Sequence, residues 1–156
     1  MATPEHTNLP PTGPFVGIAV FCEKVIQEAG GTYSLIRVTD TLNQAAVGTD
    51  VPRDMPPFIV ALTLVIMLKA GQATGSADLT IRPEAPGGFK LPALEQRINM
   101  QQGGPWGPVL FMPMQLPISV TGVYWFDVLL GDPTTNAAEL LTRVPLEVLY
   151  SRGSAS

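Results

Sequence analysis

The C-terminal part of the chain, residues 122–150, constrains the fold more than any other segment. It contains two apolar runs with period-two alternation, separated by the turn-rich sequence Gly-Asp-Pro-Thr-Thr-Asn. Period-two alternation is typical of β-strands that bury one face, and a loop rich in Gly, Asp and Pro favours a chain reversal. The segment therefore predicts two antiparallel strands that close a β-sandwich.

The second run of this hairpin divides into two faces. One face carries Leu140, Thr142, Val144, Leu146, Val148 and Tyr150, and the other carries Leu141, Arg143, Pro145, Glu147 and Leu149. A slip of one residue would bury Arg143 and Glu147, so the pairing register is strongly specified. If Asp127 lies opposite Arg143, the two charges form an ion pair across the strands.

The outward face of the first run is unusually apolar. It carries Val123, Trp125 and Leu129 beside Asp127. These side chains are too apolar for a bare water-facing sheet, so we expect an N-terminal arm, a loop or another subunit to cover them. Val123, Trp125 and Leu129 are therefore candidate binding residues.

The rest of the chain also favours strands, since its apolar runs are short and rich in β-branched residues. We predict strands over residues 16–23, 32–40, 58–70, 77–82, 94–100 and 109–120. Pro113 and Pro117 interrupt the last of these, so it should lie at a sheet edge. Residues 23–29 either extend the first strand or form a short turn or helix, and we favour the turn or helix. Residues 41–57, 82–88 and 101–108 are predicted loops.

The spacing Gly122-x-Tyr124-x-Phe126 resembles the tyrosine corner of immunoglobulin-like sandwiches, with Phe126 where a disulfide cysteine would stand. Cys22 is the only cysteine, so no intrachain disulfide forms. The predicted fold is an all-β, immunoglobulin-like antiparallel β-sandwich of about seven to eight strands. It occupies residues 15–150, between a flexible Pro-rich arm (1–14) and a polar tail (151–156).

Two pairs of segments carry a further resemblance: FCEKV at residues 21–25 with SLIRVTD at 34–40, and GVYWFDV at 122–128 with LTRVPLEV at 141–148. They resemble an uncharacterised family of bacterial single-domain β-sandwich proteins, a domain of unknown function. The resemblance implies a fold and a bacterial cytoplasmic setting, and it implies no activity.

Composition argues against nucleic acid and membrane partners and favours a protein partner. The net charge is −4, and the cationic residues do not cluster, which argues against nucleic acid. The longest apolar run, residues 58–68, is about half the length that a helix needs to insert into a membrane. A single thiol and no evident signal peptide predict a cytoplasmic location. Charged residues make up only 14% of the chain, against about 25% in average domains, which favours an apolar protein interface.

Chemistry-bearing residues are sparse. His6, the only histidine, lies in the predicted arm, and one Cys with one His supplies neither a catalytic set nor a metal site. Asp50, Asp54 and Asp132 are predicted to be solvated turn formers. Glu23 and Arg37, at the ends of the first two strands, form a candidate structural ion pair. We therefore predict no enzyme activity, no metal and no cofactor.

Two functions remain open from the sequence. The first is a non-catalytic interaction or structural module that self-associates or serves as an accessory subunit of a bacterial assembly. The second is a small-ligand or carbohydrate-binding sandwich that uses Trp106, which lies in the loop sequence Gly-Gly-Pro-Trp-Gly-Pro. A loop tryptophan stacks on sugars or anchors interfaces, but it also plugs the open end of a core.

Overall fold

The computed structural model describes residues 13–100, 107–132 and 134–154, and these residues form ten β-strands. The strands are β1 Phe15–Gln27, β2 Tyr33–Thr39, β3 Thr41–Gly48, β4 Phe58–Lys69, β5 Gly75–Ala85, β6 Phe89–Lys90, β7 Leu94–Met100, β8 Val109–Ile118, β9 Gly122–Gly131 and β10 Ala138–Ser154. The described residues contain no helix long and apolar enough to cross a bilayer.

The strands form two packed sheets. Sheet A has the order β2-β1-β4-β8, and sheet B has the order β3-β10-β9-β5, with β6 and β7 both paired to the far edge of β5. This arrangement confirms the predicted all-β sandwich, with ten strands where about seven to eight were expected. β3 runs parallel to β10, whereas every other strand pairing in the described part of the chain is antiparallel.

The core lies between the sheets and follows the period-two pattern of β4. Leu62, Leu64, Ile66 and Leu68 point inward and are buried, whereas Ile59 on the opposite face is 68% exposed. Phe21 of sheet A meets Phe126 of sheet B edge to face, with ring centroids 4.8 Å apart. This aromatic pair links the two sheets through the core, a role that an inter-sheet disulfide has in antibody-type domains.

The predicted tyrosine corner is present at the start of β9. The Tyr124 hydroxyl donates to the Val120 carbonyl oxygen at 2.9 Å and accepts from the Val120 N–H at 3.4 Å. Gly122 has a φ of 125°, and a Cβ there would lie 2.9 Å from the Pro86 ring. Glycine therefore allows the tight entry into β9 that brings Tyr124 back onto Val120.

The β1–β2 hairpin bends across the outside of sheet A. β1 pairs with β4 only as far as Cys22 and continues alone with β2. The Tyr33 ring then contacts the Phe111 ring of β8, at 4.8 Å between centroids, although β1 and β4 separate their strands in the sheet. The hairpin thereby lies over the outer row of β4, where Val65 is buried.

Several predicted boundaries were wrong. Residues 41–48, predicted as loop, form β3 because the backbone of β10 holds them in a parallel ladder. Residues 23–27, predicted as a turn or helix, extend β1. β5 continues through Pro83, where the prediction ended the strand. On the side of β5 away from β9, β7 pairs with residues up to Ile81 and β6 pairs with residues from Glu84. Pro83, which has no N–H, lies in the gap between these two pairings, so no ladder hydrogen bond is lost.

The predicted assignment of β10 side chains to the buried and exposed faces is correct from Thr142 onward and wrong before it. Val144, Leu146 and Val148 are buried as expected, but the register with β9 shifts between Leu140 and Thr142. This bulge turns Leu140 outward, where it is 49% exposed. β10 also continues to Ser154, past the predicted sandwich boundary at residue 150.

Candidate functional site

The outward face of β9 holds three of the candidate binding residues. Val123 and Leu129 are half-buried, and Trp125 is 36% exposed. The Arg143 guanidinium carbon lies 5.0 Å from the centre of the Trp125 ring, which places the cation over the aromatic face. The Arg143 side chain of β10 thus covers part of the apolar surface for which the sequence predicts an external cover.

Charged residues surround this tryptophan. Asp127 lies directly opposite Arg143 in the β9–β10 register, and Arg143 Nε is 2.6 Å from Asp127 Oδ1. On the other side, β5 places Arg82 opposite Asp127 and Glu84 opposite Trp125. The face is therefore a solvated, ion-paired surface with one tryptophan in it rather than a continuous apolar patch.

Trp106, the other tryptophan proposed for binding, lies outside the described residues, as does His6. Neither residue enters the site described below, and the choice between a core plug and a binding anchor for Trp106 stays a prediction.

Glu23 and Arg37 approach each other on the β1–β2 hairpin. Arg37 Nη1 lies 3.4 Å from Glu23 Oε1, and both side chains are at least half exposed. Arg37 has a φ of 53°, a left-handed conformation that is unfavourable for a residue with a Cβ. Since exposed ion pairs are worth about 0–1 kcal/mol, this pair adds little to stability.

We expect Arg37→Met to change the free energy of unfolding by less than about 1 kcal/mol, because water already screens the pair. Arg37→Gly should be at least as stable as Arg37→Met, because glycine adopts the positive φ without strain. Urea unfolding of the three proteins measures both effects. A loss above about 2 kcal/mol in both variants would show that the ion pair is structurally important.

The described residues contain no group of three or more His, Cys, Asp or Glu that could hold a metal ion. Cys22 is buried and unpaired, and its burial raises the pKa of the thiol above 9.0. A buried thiol with a raised pKa forms little thiolate at neutral pH, which is the opposite of what a nucleophile requires.

Asp132 opens the β9–β10 loop as a turn former. Its Oδ1 accepts from the Thr134 hydroxyl at 2.6 Å and from the Thr134 N–H at 2.8 Å. Both hydrogen bonds stabilise the ionised carboxylate and lower the pKa of Asp132 from its ordinary value of 3.8. The bond from the Thr134 hydroxyl has the larger effect. The geometry is that of an Asx turn, which agrees with the structural role expected from the sequence.

This loop gives a pH-dependent prediction. The Asp132 pKa is lower in the folded than in the unfolded protein, so the ionised carboxyl stabilises the fold above the unfolded pKa of about 4. That contribution disappears as the pH falls through the folded pKa. Thr134→Val should raise the Asp132 pKa in a carboxyl-carbon NMR titration, whereas Thr135→Val should not, because the Thr135 hydroxyl accepts from Ala137 instead. Equal pKa values in all three proteins would contradict this account.

The sheet edges differ in how they are protected against pairing with other chains. β8, confirmed as an edge of sheet A, presents the exposed prolines Pro113 and Pro117. The β6–β7 edge of sheet B is charged: Arg97 of β7 pairs with Asp78 at 3.0 Å, and Lys90 of β6 pairs with Glu84. Prolines and charges are the devices with which natural proteins block strand addition.

β3, the opposite edge of sheet B, has neither device. Thr41–Gly48 contains no proline and no charged residue, and Val47 is 74% exposed. Among the described residues, no strand pairs with the edge of β3 that faces away from β10. We call this edge, formed by Thr41–Gly48, the β3 edge, and it is the candidate site.

The directions of the backbone groups on the β3 edge follow from its ladder. The Glu147 N–H donates to the Asp40 carbonyl, and Glu147 is the register partner of Thr41. In a parallel ladder, alternate residues turn both backbone groups to the partner. Thr41 and the odd-numbered residues after it therefore turn their N–H and C=O away from β10.

Little in the sequence points to this site. The sequence pattern predicts a loop over residues 41–48, and no side chain there suggests chemistry. The signal in the sequence is an absence: Thr41–Gly48 has neither proline nor charge, whereas each of the other sheet edges has one or the other.

Neither the protein-family models nor the curated proteins include a match to this chain. The resemblance to an uncharacterised bacterial family therefore stays a prediction.

Proposed function

We propose that the protein is a non-catalytic protein-interaction module that associates with another chain along the β3 edge. It would act either by self-association or as an accessory subunit of a bacterial assembly. The observation that carries the proposal is a contrast between the β3 edge, which has neither proline nor charge, and the other three sheet edges. β8 carries prolines, β6 and β7 carry charges, and β2 carries the charged Arg37. An exposed edge strand without proline or charge is a template for a further strand.

The other features of the molecule are consistent with this role. On the outer face of β9, Asp127 is paired with Arg143, and the described residues contain no cluster of three or more His, Cys, Asp or Glu side chains that could hold a metal ion. Catalysis needs positioned acid, base or nucleophilic groups, and the described carboxylates are dispersed over solvated surfaces and turns.

Site-specific photo-crosslinking tests the proposal directly. We would place p-benzoylphenylalanine at Val47 on the β3 edge and, as a matched control, at Gln115, an exposed residue of the protected β8 edge. Irradiation of cells that express each variant should give discrete crosslinked species with position 47 and none with position 115. Equal crosslinking at the two positions, or none at either, would contradict the proposal.

The alternative, a carbohydrate or small-ligand module that uses Trp106, keeps the test suggested by the sequence. If it is correct, a glycan panel should change the tryptophan fluorescence of the protein, and Trp106→Ala should abolish the change. No described contact favours it over the interaction module.

A further inference from the structure

We propose that the partner at the β3 edge is a second copy of this chain, paired antiparallel with the first about a twofold axis at Ala45. This inference rests on the proposed function and adds the partner and the register. The two copies of sheet B would then join into one continuous sheet across the interface.

The free backbone groups of the β3 edge are centred on Ala45. Thr41 is already occupied: the Thr39 hydroxyl donates to the Thr41 carbonyl at 2.8 Å and accepts from the Thr41 N–H at 3.3 Å. The remaining outward-facing residues of β3 are Asn43, Ala45 and Val47. The hydrogen bonds of the described residues do not engage the outward N–H and C=O groups of these three.

A run of three alternate residues selects one twofold register. Antiparallel pairing that uses every free group places Ala45 opposite its own copy and Asn43 opposite Val47 of the other chain. Each such pair exchanges two hydrogen bonds, so the three pairs form six. Moving the axis to Gln44 would place the occupied Thr41 opposite Val47, and moving it to Ala46 would place Asn43 beyond the end of the partner strand, so free groups would stay unpaired in either case.

The side chains of β3 suit this register. The small Ala45 meets its copy at the axis without steric conflict. Val47, exposed in the single chain, gains cover from the neighbouring Asn43 of the second copy. Because residues 41–48 contain no charge, no like charges meet within the paired length of β3.

Self-pairing also fits the symmetry of the edge. A twofold contact requires a surface that is complementary to itself, and a run of free groups centred on one small residue meets that requirement. Three pairs of residues bury much less surface area than the roughly 1,200 Å² that stable protein interfaces bury. The dimer should therefore be weak and should show clearly only at high protein concentration.

Sedimentation equilibrium from 10 µM to 1 mM, about the span in which a weak dimer dissociates, tests the register with charge variants. Ala45 is exposed, so Ala45→Lys and Ala45→Glu should fold, as circular dichroism will verify. Each variant places like charges at the axis and should weaken the dimer about tenfold or more. An equimolar mixture of the two should dimerise at least as well as the wild type, because Lys then faces Glu. Gln115→Lys, on the β8 edge, should dimerise like the wild type.

The outcomes separate this inference from the proposed function. A wild-type protein that stays monomeric at 1 mM, or variants that dimerise unchanged, would overturn the self-pairing. If the crosslinker at Val47 nevertheless captures a different protein, the interaction function stands and the second copy is not the partner. Failure of the Lys–Glu mixture to dimerise, with a dimeric wild type, would overturn the axis at Ala45.

Discussion

Phe126→Ala is expected to lower the free energy of unfolding by about 3–5 kcal/mol, the range for a buried aromatic side chain truncated to a methyl group. Phe126 is fully buried and its ring meets Phe21 across the two sheets. Domains of this size are stable by only about 5–15 kcal/mol, so the variant should retain a small margin. Urea unfolding, or a drop in melting temperature of about 6–20 °C at about 2–4 °C per kcal/mol, measures the loss.

The contribution of the ring contact itself needs a matched comparison. Phe126→Leu and Phe21→Leu keep most of the apolar volume, and a double-mutant cycle between them isolates the aromatic pair. We expect a coupling of about 0.5–1.5 kcal/mol. A cycle that closes with no coupling would show that the pair contributes only by burial. A Phe126→Ala loss below about 1 kcal/mol would contradict the placement of this residue at the centre of the core.

Tyr124→Phe should cost about 1–3 kcal/mol, because it removes the hydroxyl that satisfies both backbone groups of Val120. The ring remains buried, so the loss reports the hydrogen bonds of the tyrosine corner rather than packing. The measurement is again urea unfolding.

Tyr150→Phe is the control for the tyrosine corner. The Tyr150 hydroxyl donates to the Pro52 carbonyl oxygen at 2.9 Å near the surface. Water can replace that bond, so we expect a loss of about 1 kcal/mol or less. Equal losses at Tyr124 and Tyr150 would indicate that the corner has no special structural role.

Strong local patterns made much of the fold predictable. β7 was predicted with the bounds that the structure shows, and the prolines of β8 identified an edge strand. The charges of the closing hairpin set a register in which Asp127 and Arg143 are opposite each other. In each case the signal is a property of the segment itself: alternation, a missing N–H, or a charge that cannot be buried.

The remaining elements depend on partners far away in the chain. β3 has weak alternation, and its extended form results from the ladder with β10. The bulge beside Leu141 and the passage of β5 through Pro83 depend on where neighbouring strands begin and end. A local sequence pattern cannot show where these strands bulge or end, because pairing with strands distant in the sequence determines both.

The candidate site was the least predictable part. The sequence directed attention to Trp125 and the apolar residues beside it, because large apolar side chains commonly form interfaces. The structure places Arg143 over that ring and surrounds it with charge. The β3 edge emerges only from backbone directions and from the Thr39 hydroxyl that occupies Thr41, and neither is visible in composition or alternation.

The parallel pairing of β3 with β10 also means that the ribosome makes β3 long before the strand with which it pairs. Thr41 pairs with Glu147, so about a hundred residues separate the partners. At roughly 5–20 residues per second, a ribosome needs about 5–20 s to supply β10 after β3 has been made. During that interval both edges of β3 are unpaired, and a second nascent chain presents the same strand. Because β10 is synthesised last, the backbone groups of β3 are most available for pairing with a wrong chain before the domain has folded.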